Sequence, residues 1–298
     1  MNAFETYSAI LRGSWLIDRG YADSHLPFVK DLLTKGAPTS LSGAPVEKQP
    51  IEYAVITAGS NQIITNHYEY NGAPEGSIAM INISGPILKN GGMCSYGSKD
   101  FTAMVQKANA NSNIKGIILS IDSPGGMVDG TNTLADAIKA SNKPVVAFVD
   151  SGMMASAAMW IGSAADEIYA SQKTDTIGSI GVFTTLYDFR EYFAKEGIKI
   201  HEIYAPQSKD KNKDYKDAMD GKYAALKERL KFIADEFIAA VEDNRGDRLK
   251  DKEEPFTGKM YAAEKATEIG LIDGIKTFDQ VVARINELAS TETTEFYI

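Results

Sequence analysis

Four short apolar runs constrain the folding of this chain more than any other feature. They are SIAMINISGPI (77–87), IKGIILSID (114–122), KPVVAFVD (143–150) and DEIYA (166–170). Each is rich in Ile, Val or Ala and bounded by Gly, Pro, Ser or Asp, the punctuation of strands. Helical patterns lie between them, over Ser98–Asn109, over 129–141 and after Ser156. Strands alternating with helices of about 10–15 residues require βαβ crossovers and a largely parallel sheet. Further along, IGSIGVF (177–183) is a glycine-punctuated apolar segment. The pattern then predicts a helix over 187–196 and a strand in IKIHEIYA (198–205). The segment 216–245 carries Leu226, Leu230, Ile233, Phe237 and Val241 at three- and four-residue steps, one apolar stripe on a charged helix. Residues 1–35 read as an amphipathic helical lead-in, joined through a Pro- and Gly-rich connector ending near 50 to a weakly strand-like stretch over 52–70. The expected organisation is an extension over 1–50, one domain over 51–290 and a tail over 291–298.

Charge and composition exclude several function classes. The 298 residues carry 31 basic and 40 acidic side chains, a net charge of −9, which argues against a general nucleic-acid binder. The single cysteine, Cys94, precludes an intramolecular disulfide. His25, His67 and His201 are scattered, without metal-ligand spacing, so neither a metal nor a cofactor is expected. No apolar run reaches the ~20 residues of a membrane span or has the form of a signal peptide. A cytoplasmic protein without a membrane anchor is the expectation.

Two turns carry candidate chemistry. In IDSPGGM (121–127) a strand runs into Pro124 and two glycines. Such a turn lets another backbone approach closely and presents N–H groups to a carbonyl oxygen, although Pro-Gly-Gly alone also serves as a plain connection. In DSGMMASAAMW (150–160) a serine, Ser156, stands early in a helix among residues too small to shield it. It reads either as a helix cap or as a nucleophile. In the second case the N–H groups of Ala157 and Gly126 would stabilise an oxyanion.

Taken in order, IILSIDSPGG, MMASAAMWIGSAADEIYAS, TIGSIGV and FTGKMYAAEKATEIGLIDGI (256–275) resemble the signal-peptide-peptidase-A (protease IV) family of serine peptidases. The phage capsid-maturation branch is the nearest match, and the likeness covers about 77–290. The resemblance implies a crotonase/Clp-protease-like α/β fold of repeated ββα units, with a helical N-terminal extension and a helical C-terminal region. It implies Ser156 as nucleophile and a lysine base some fifty residues later. That lysine is Lys209, Lys211 or Lys213, with Lys209 the best fit to the family pattern, and Ser179 orients its amine. It further implies a homo-oligomer with active sites at subunit interfaces, acting on capsid or scaffold proteins in a host cytoplasm or growing procapsid. Cellular relatives place glycines where this chain has Ala157–Ala158, and they carry a membrane anchor.

Free lysine has a pKa of about 10.4, so only about one amine in two thousand is a base at pH 7. Lowering that value by ~3 units requires a dry site. Three rival readings remain open on sequence. One is a Ser-His-Asp enzyme using His201 with Asp122 or Asp150. Another is a crotonase-like acyl-CoA enzyme, and the third is an idle scaffold on the same fold.

Overall fold

A computed structural model describes residues 15–17, 50–66, 68–92, 95–186 and 188–295. The apolar runs become the centre of one sheet. Strand β4 (Ser77–Ser84) lies parallel to β5 (Ile114–Ser123), and β5 lies parallel to β7 (Val145–Ala155). Beyond β5, β7 pairs in parallel with two strands in turn, through Val146–Val149 with β8 (Glu167–Ala170) and through Met153–Ala155 with β9 (Thr176–Gly178). The weakly strand-like stretch forms β2 (Tyr53–Ile56) and β3 (Ile63–Asn66), an antiparallel pair on the outer edge of β4. Near the C-terminus β10 (Met260–Ala262) runs antiparallel to β9, and β11 (Gly274–Ile275) runs parallel to β8.

Nearly continuous apolar strands imply that both faces of the sheet are covered, and they are. Along β5, Ile117, Leu119 and Ile121 enter one cluster while Ile118 enters the other; along β7, Val145, Ala147 and Val149 separate in the same way from Val146 and Phe148. The first face is packed by α1 (Ser98–Ala110), α2 (Thr131–Lys139) and α3 (Ala157–Ser163), through residues such as Phe101, Leu134 and Ile161. The second is packed by α8 (Phe278–Glu295), through Val281, Val282 and Ile285. Between them in sequence lie α4 (Arg190–Lys195), α5 (Lys213–Met219), α6 (Ala224–Arg245) and α7 (Ala263–Glu268).

Helix α6 is fastened at its C-terminal half. Phe237 stacks on Trp160 of α3 with ring centroids 5.0 Å apart. The buried Arg245 forks onto Asp273 at 2.9 Å from each terminal nitrogen and donates to the Gly270 carbonyl. The predicted stripe is real, but Leu226, Leu230 and Ile233 are only half-buried while Phe237 and Val241 are fully so.

Three expectations need correction. The strand over 198–205 does not form: that segment has no regular structure, and Ile198, Ile200 and Ile203 are 52%, 63% and 93% exposed. Its alternating pattern finds no neighbouring strand among the described residues. The helix over 216–245 is two helices, broken at Asp220–Gly221 where Gly221 takes φ +80°. Of the helical lead-in, only Trp15–Ile17 lies within the described residues, and it is a strand, β1.

Candidate active site

The first turn of the site is built against Ile87. After β5, Ser123 donates its hydroxyl to the Gly85 carbonyl (2.7 Å) and accepts the Gly125 N–H (3.2 Å), closing the chain over Pro124. The next residues form β6 (Gly125–Met127). Ile87 donates to the Gly125 carbonyl (2.8 Å), and Met127 donates to the Ile87 carbonyl (2.9 Å). A Cβ on Gly126 would lie 1.9 Å from the Ile87 oxygen, so only glycine permits this approach.

The second turn is delivered by an irregularity in β7. Its register with β5 runs from Ile121 opposite Val149 directly to Ser123 opposite Met154, so β7 carries extra residues opposite Asp122. Asp122 holds that bulge by accepting the Met153 N–H at 3.1 Å. Gly152 must lack a side chain, because a Cβ there would stand 2.0 Å from the Asp122 carboxylate. Beyond the bulge β7 transfers its pairing to β9, with Ala155 opposite Gly178.

Ser156 follows at once, with φ 55° and ψ −116°, a conformation that costs a side-chain-bearing residue of order 1–3 kcal/mol. The surroundings enforce it. Its N–H donates to the Gly178 carbonyl at 2.8 Å, and its carbonyl accepts the Trp160 N–H at 3.0 Å, starting α3. Strand, strained serine and helix together form the kind of sharp turn that thrusts a hydroxyl forward. The residue is buried, and its Oγ lies 3.5 Å from the Gly181 carbonyl. Ala157, Ala158 and Met159 behind it are fully buried. Ala157 opens α3, where an N–H has no acceptor within the helix.

Four of the residues singled out in the sequence therefore converge: Ser156, Gly126, Ala157 and Ser179. Ser179, also at positive φ, is half-buried and donates its N–H to the Lys259 carbonyl at 2.7 Å, which fixes the Gly178 carbonyl against Ser156. Lys209, Lys211 and Lys213 are not brought in. They lie on an exposed segment, Lys209 just after the turn Pro206–Ser208 and Lys213 at the start of α5. Nearby, Lys216 pairs with Glu202 at 2.8 Å and lies 4.0 Å over the Tyr204 ring.

His201 is on the same exposed segment. Asp122 holds the bulge, and Asp150 accepts the Ser120 hydroxyl at 3.4 Å. Neither carboxylate has a described hydrogen bond to His201. A cavity of about 460 Å³ lies between Thr184–Leu186 and the α5–α6 junction, lined by Met219, Tyr223 and Leu230. Ser156 does not line it. Sequence reasoning missed the Asp122–Gly152 bulge, whose signal was a glycine inside an apolar strand, and it missed β1.

Comparisons with known proteins cover the segments that carry these residues. The family description "Peptidase family S49" matches residues 137–292, and "Clp protease" matches 86–177. The first span contains Ser156, Ser179 and all three lysines; the second contains Gly126 and Ser156. The chain is 28% identical to Protease 4 of Salmonella typhi over 83% of this chain and 41% of that protein. It is 29% identical to the capsid assembly protease C of Escherichia phage lambda over 66% and 46%. It is 35% identical to the head-tail preconnector protein GP5 of Enterobacteria phage P21 over 43% and 26%. The chain thus spans less than half the length of these relatives.

Proposed function

The chain belongs to peptidase family S49, and from that premise we propose that it is a serine endopeptidase working through a Ser156–Lys209 dyad. Ser156 Oγ attacks the scissile carbonyl carbon while its proton passes to the Lys209 amine. The N–H groups of Gly126 and Ala157 hold the oxyanion. Collapse of the tetrahedral intermediate expels the leaving amine, which takes the proton from Lys209. Water then attacks the acyl-enzyme, with Lys209 again as base. Ser179 positions the amine.

One observation carries the reading: a strained, buried serine at a strand-to-helix turn, set beside a Gly-Gly strand that lets other backbone approach closely. Lys209 is exposed in the single chain, so the dryness its role demands comes from a neighbouring copy or from substrate. The bare Ile198, Ile200 and Ile203 beside it support a homo-oligomer in which another copy covers this segment.

The two phage relatives favour a role in head assembly, with capsid or scaffold proteins as substrates and the host cytoplasm or a growing procapsid as the place of action. Residues 51–290 form the peptidase unit in this reading. The test is to co-express the chain with a phage scaffold protein and follow its cleavage for wild type, Ser156→Ala, Lys209→Ala, Lys211→Ala and Lys213→Ala. Loss with Ser156→Ala and Lys209→Ala alone supports the dyad. Loss with His201→Ala but not with Lys209→Ala would replace it, and an inert wild type with both residues intact would favour a scaffold.

A further inference from the structure

Strand β1 (Trp15–Ile17) pairs antiparallel with β6 in one register: Trp15 opposite Met127, Leu16 opposite Gly126, Ile17 opposite Gly125. One edge of β6 is already taken, since the Gly125 carbonyl and the Met127 N–H bond to Ile87. Backbone polar groups alternate between the two edges of a strand, so the N–H and carbonyl of Gly126 face the other way, toward Leu16. The Gly126 N–H is the donor assigned above to the oxyanion, and the carbonyl presented to it is that of Leu16.

Two further observations agree. The point where a Cβ on Gly125 would stand is 2.1 Å from the Leu16 oxygen and 2.9 Å from Ser156 Cβ, so carbonyl and nucleophilic residue border the same gap. Leu16 is also fully buried, in one apolar cluster with Ile87, Ala157 and Ala158.

We propose that Trp15–Ile17 is a built-in peptide ligand of this site. It takes the place of a substrate strand, with Leu16 in the pocket for the residue whose carbonyl is attacked, and it excludes other peptides while seated. The proposal rests on the peptidase reading of Ser156 and adds its substrate class: extended peptides that add a strand to β6 and bury one leucine-sized apolar side chain. A ligand tethered in the same chain competes at an effective concentration of order millimolar. A site filled about nine-tenths of the time shows roughly tenfold weaker apparent affinity for anything else.

Binding is separated from chemistry in Ser156→Ala protein, titrated into a fluorescein-labelled synthetic peptide of residues 11–20 and read by polarisation. A second protein adds Leu16→Asp, which places a carboxylate where the pocket is dry and unseats β1. The doubly substituted protein should bind the peptide at least about tenfold more tightly. A peptide carrying Leu16→Asp should bind neither protein. Equal affinity of the two proteins, equal binding of the two peptides, or binding to neither protein overturns the proposal. Leu16→Ala serves as a second variant and should give a smaller gain in the same direction; its result decides if Leu16→Asp fails to fold. If binding follows this pattern while wild type cuts no protein, the seated strand stands and the peptidase reading falls. Cleavage by wild type that Leu16→Asp leaves unaltered does the reverse.

Discussion

The two halves of the proposed dyad lie in very different ground. Around Ser156 every feature is buried and over-determined: two parallel strands, a bulge held by Asp122, a helix start, and a carbonyl of β9 fixed on the serine N–H. Around Lys209 the chain from Ile198 to Lys213 is largely exposed, charged and, among the described residues, without a strand partner. Nucleophile geometry is thus a property of one folded chain, whereas a working base is a property of whatever covers it. In the proposed dyad, a single chain has its alcohol in place and its amine in water.

Activity should break this comparison most sharply. Ser156→Ala and Lys209→Ala should each lower the cleavage rate by about 10⁴-fold or more, since residues acting as a unit fail together. Lys211→Ala and Lys213→Ala should stay within a few-fold of wild type. Ile203→Asp should leave the unfolding free energy of the single chain within about 0.5 kcal/mol, because Ile203 is 93% exposed. It should nonetheless abolish assembly in sedimentation and cleavage with it. An active monomer carrying Ile203→Asp would show that the lysine finds its dry site without a neighbour.

The buried half should answer in stability. Asp273→Ala leaves Arg245 buried without its carboxylate and should cost about 3–5 kcal/mol in urea unfolding. No substitution among Lys209–Lys213 should approach that loss. Gly152→Ala drives a methyl group onto Asp122 and should cost about 1–3 kcal/mol. Asp122→Ala added to it makes room for the methyl group, so the double variant should regain part of that stability. It should not regain full activity, since the bulge that aims Ser156 has lost its anchor. Strictly additive losses would show that the two residues do not meet.

What the sequence made legible divides along the same line. The strands β4, β5 and β7 were readable because apolar runs buried on both faces need no context to be recognised. The strand-to-helix turn at Ser156 was readable because a run of small residues follows the strand there. Other features depend on distant partners. β1 is three residues of a helical-looking pattern, and it becomes a strand only because Gly125–Met127 offers an open edge. The bulge at Asp122 requires two strands in register. The segment 198–205 fails in the opposite sense: Ile198 and Ile200 alternate as a strand should, but the pattern states a demand for a neighbour that the described residues do not supply. Asp220–Gly221 announced its break plainly, and helical periodicity on both sides masked it.

The smallest expected effect concerns how the covered face of the sheet responds to acid. Arg284 of α8 forks onto Glu167 of β8, Nη2 to Oε1 at 2.6 Å and Nε to Oε2 at 2.9 Å. Hydrogen bonds from Arg284 hold the Glu167 carboxyl below the ordinary glutamate value of 4.5; burial opposes this, while the Tyr169 hydroxyl at 2.8 Å and the nearby Lys276 assist. A carboxylate with a depressed pKa binds its proton less readily in the folded chain than in the unfolded one. The stability it adds is therefore complete above about pH 4.5 and drains away as pH falls through the lower, folded value. Arg284→Met should remove that increment at neutral pH and flatten the dependence of the urea midpoint between about pH 5 and 3, while leaving Ser156 chemistry untouched. A midpoint that falls with the wild-type slope in Arg284→Met would assign the acid sensitivity elsewhere, first to the carboxylates of the exposed segment around Glu202, whose ion pair with Lys216 also holds its pKa down.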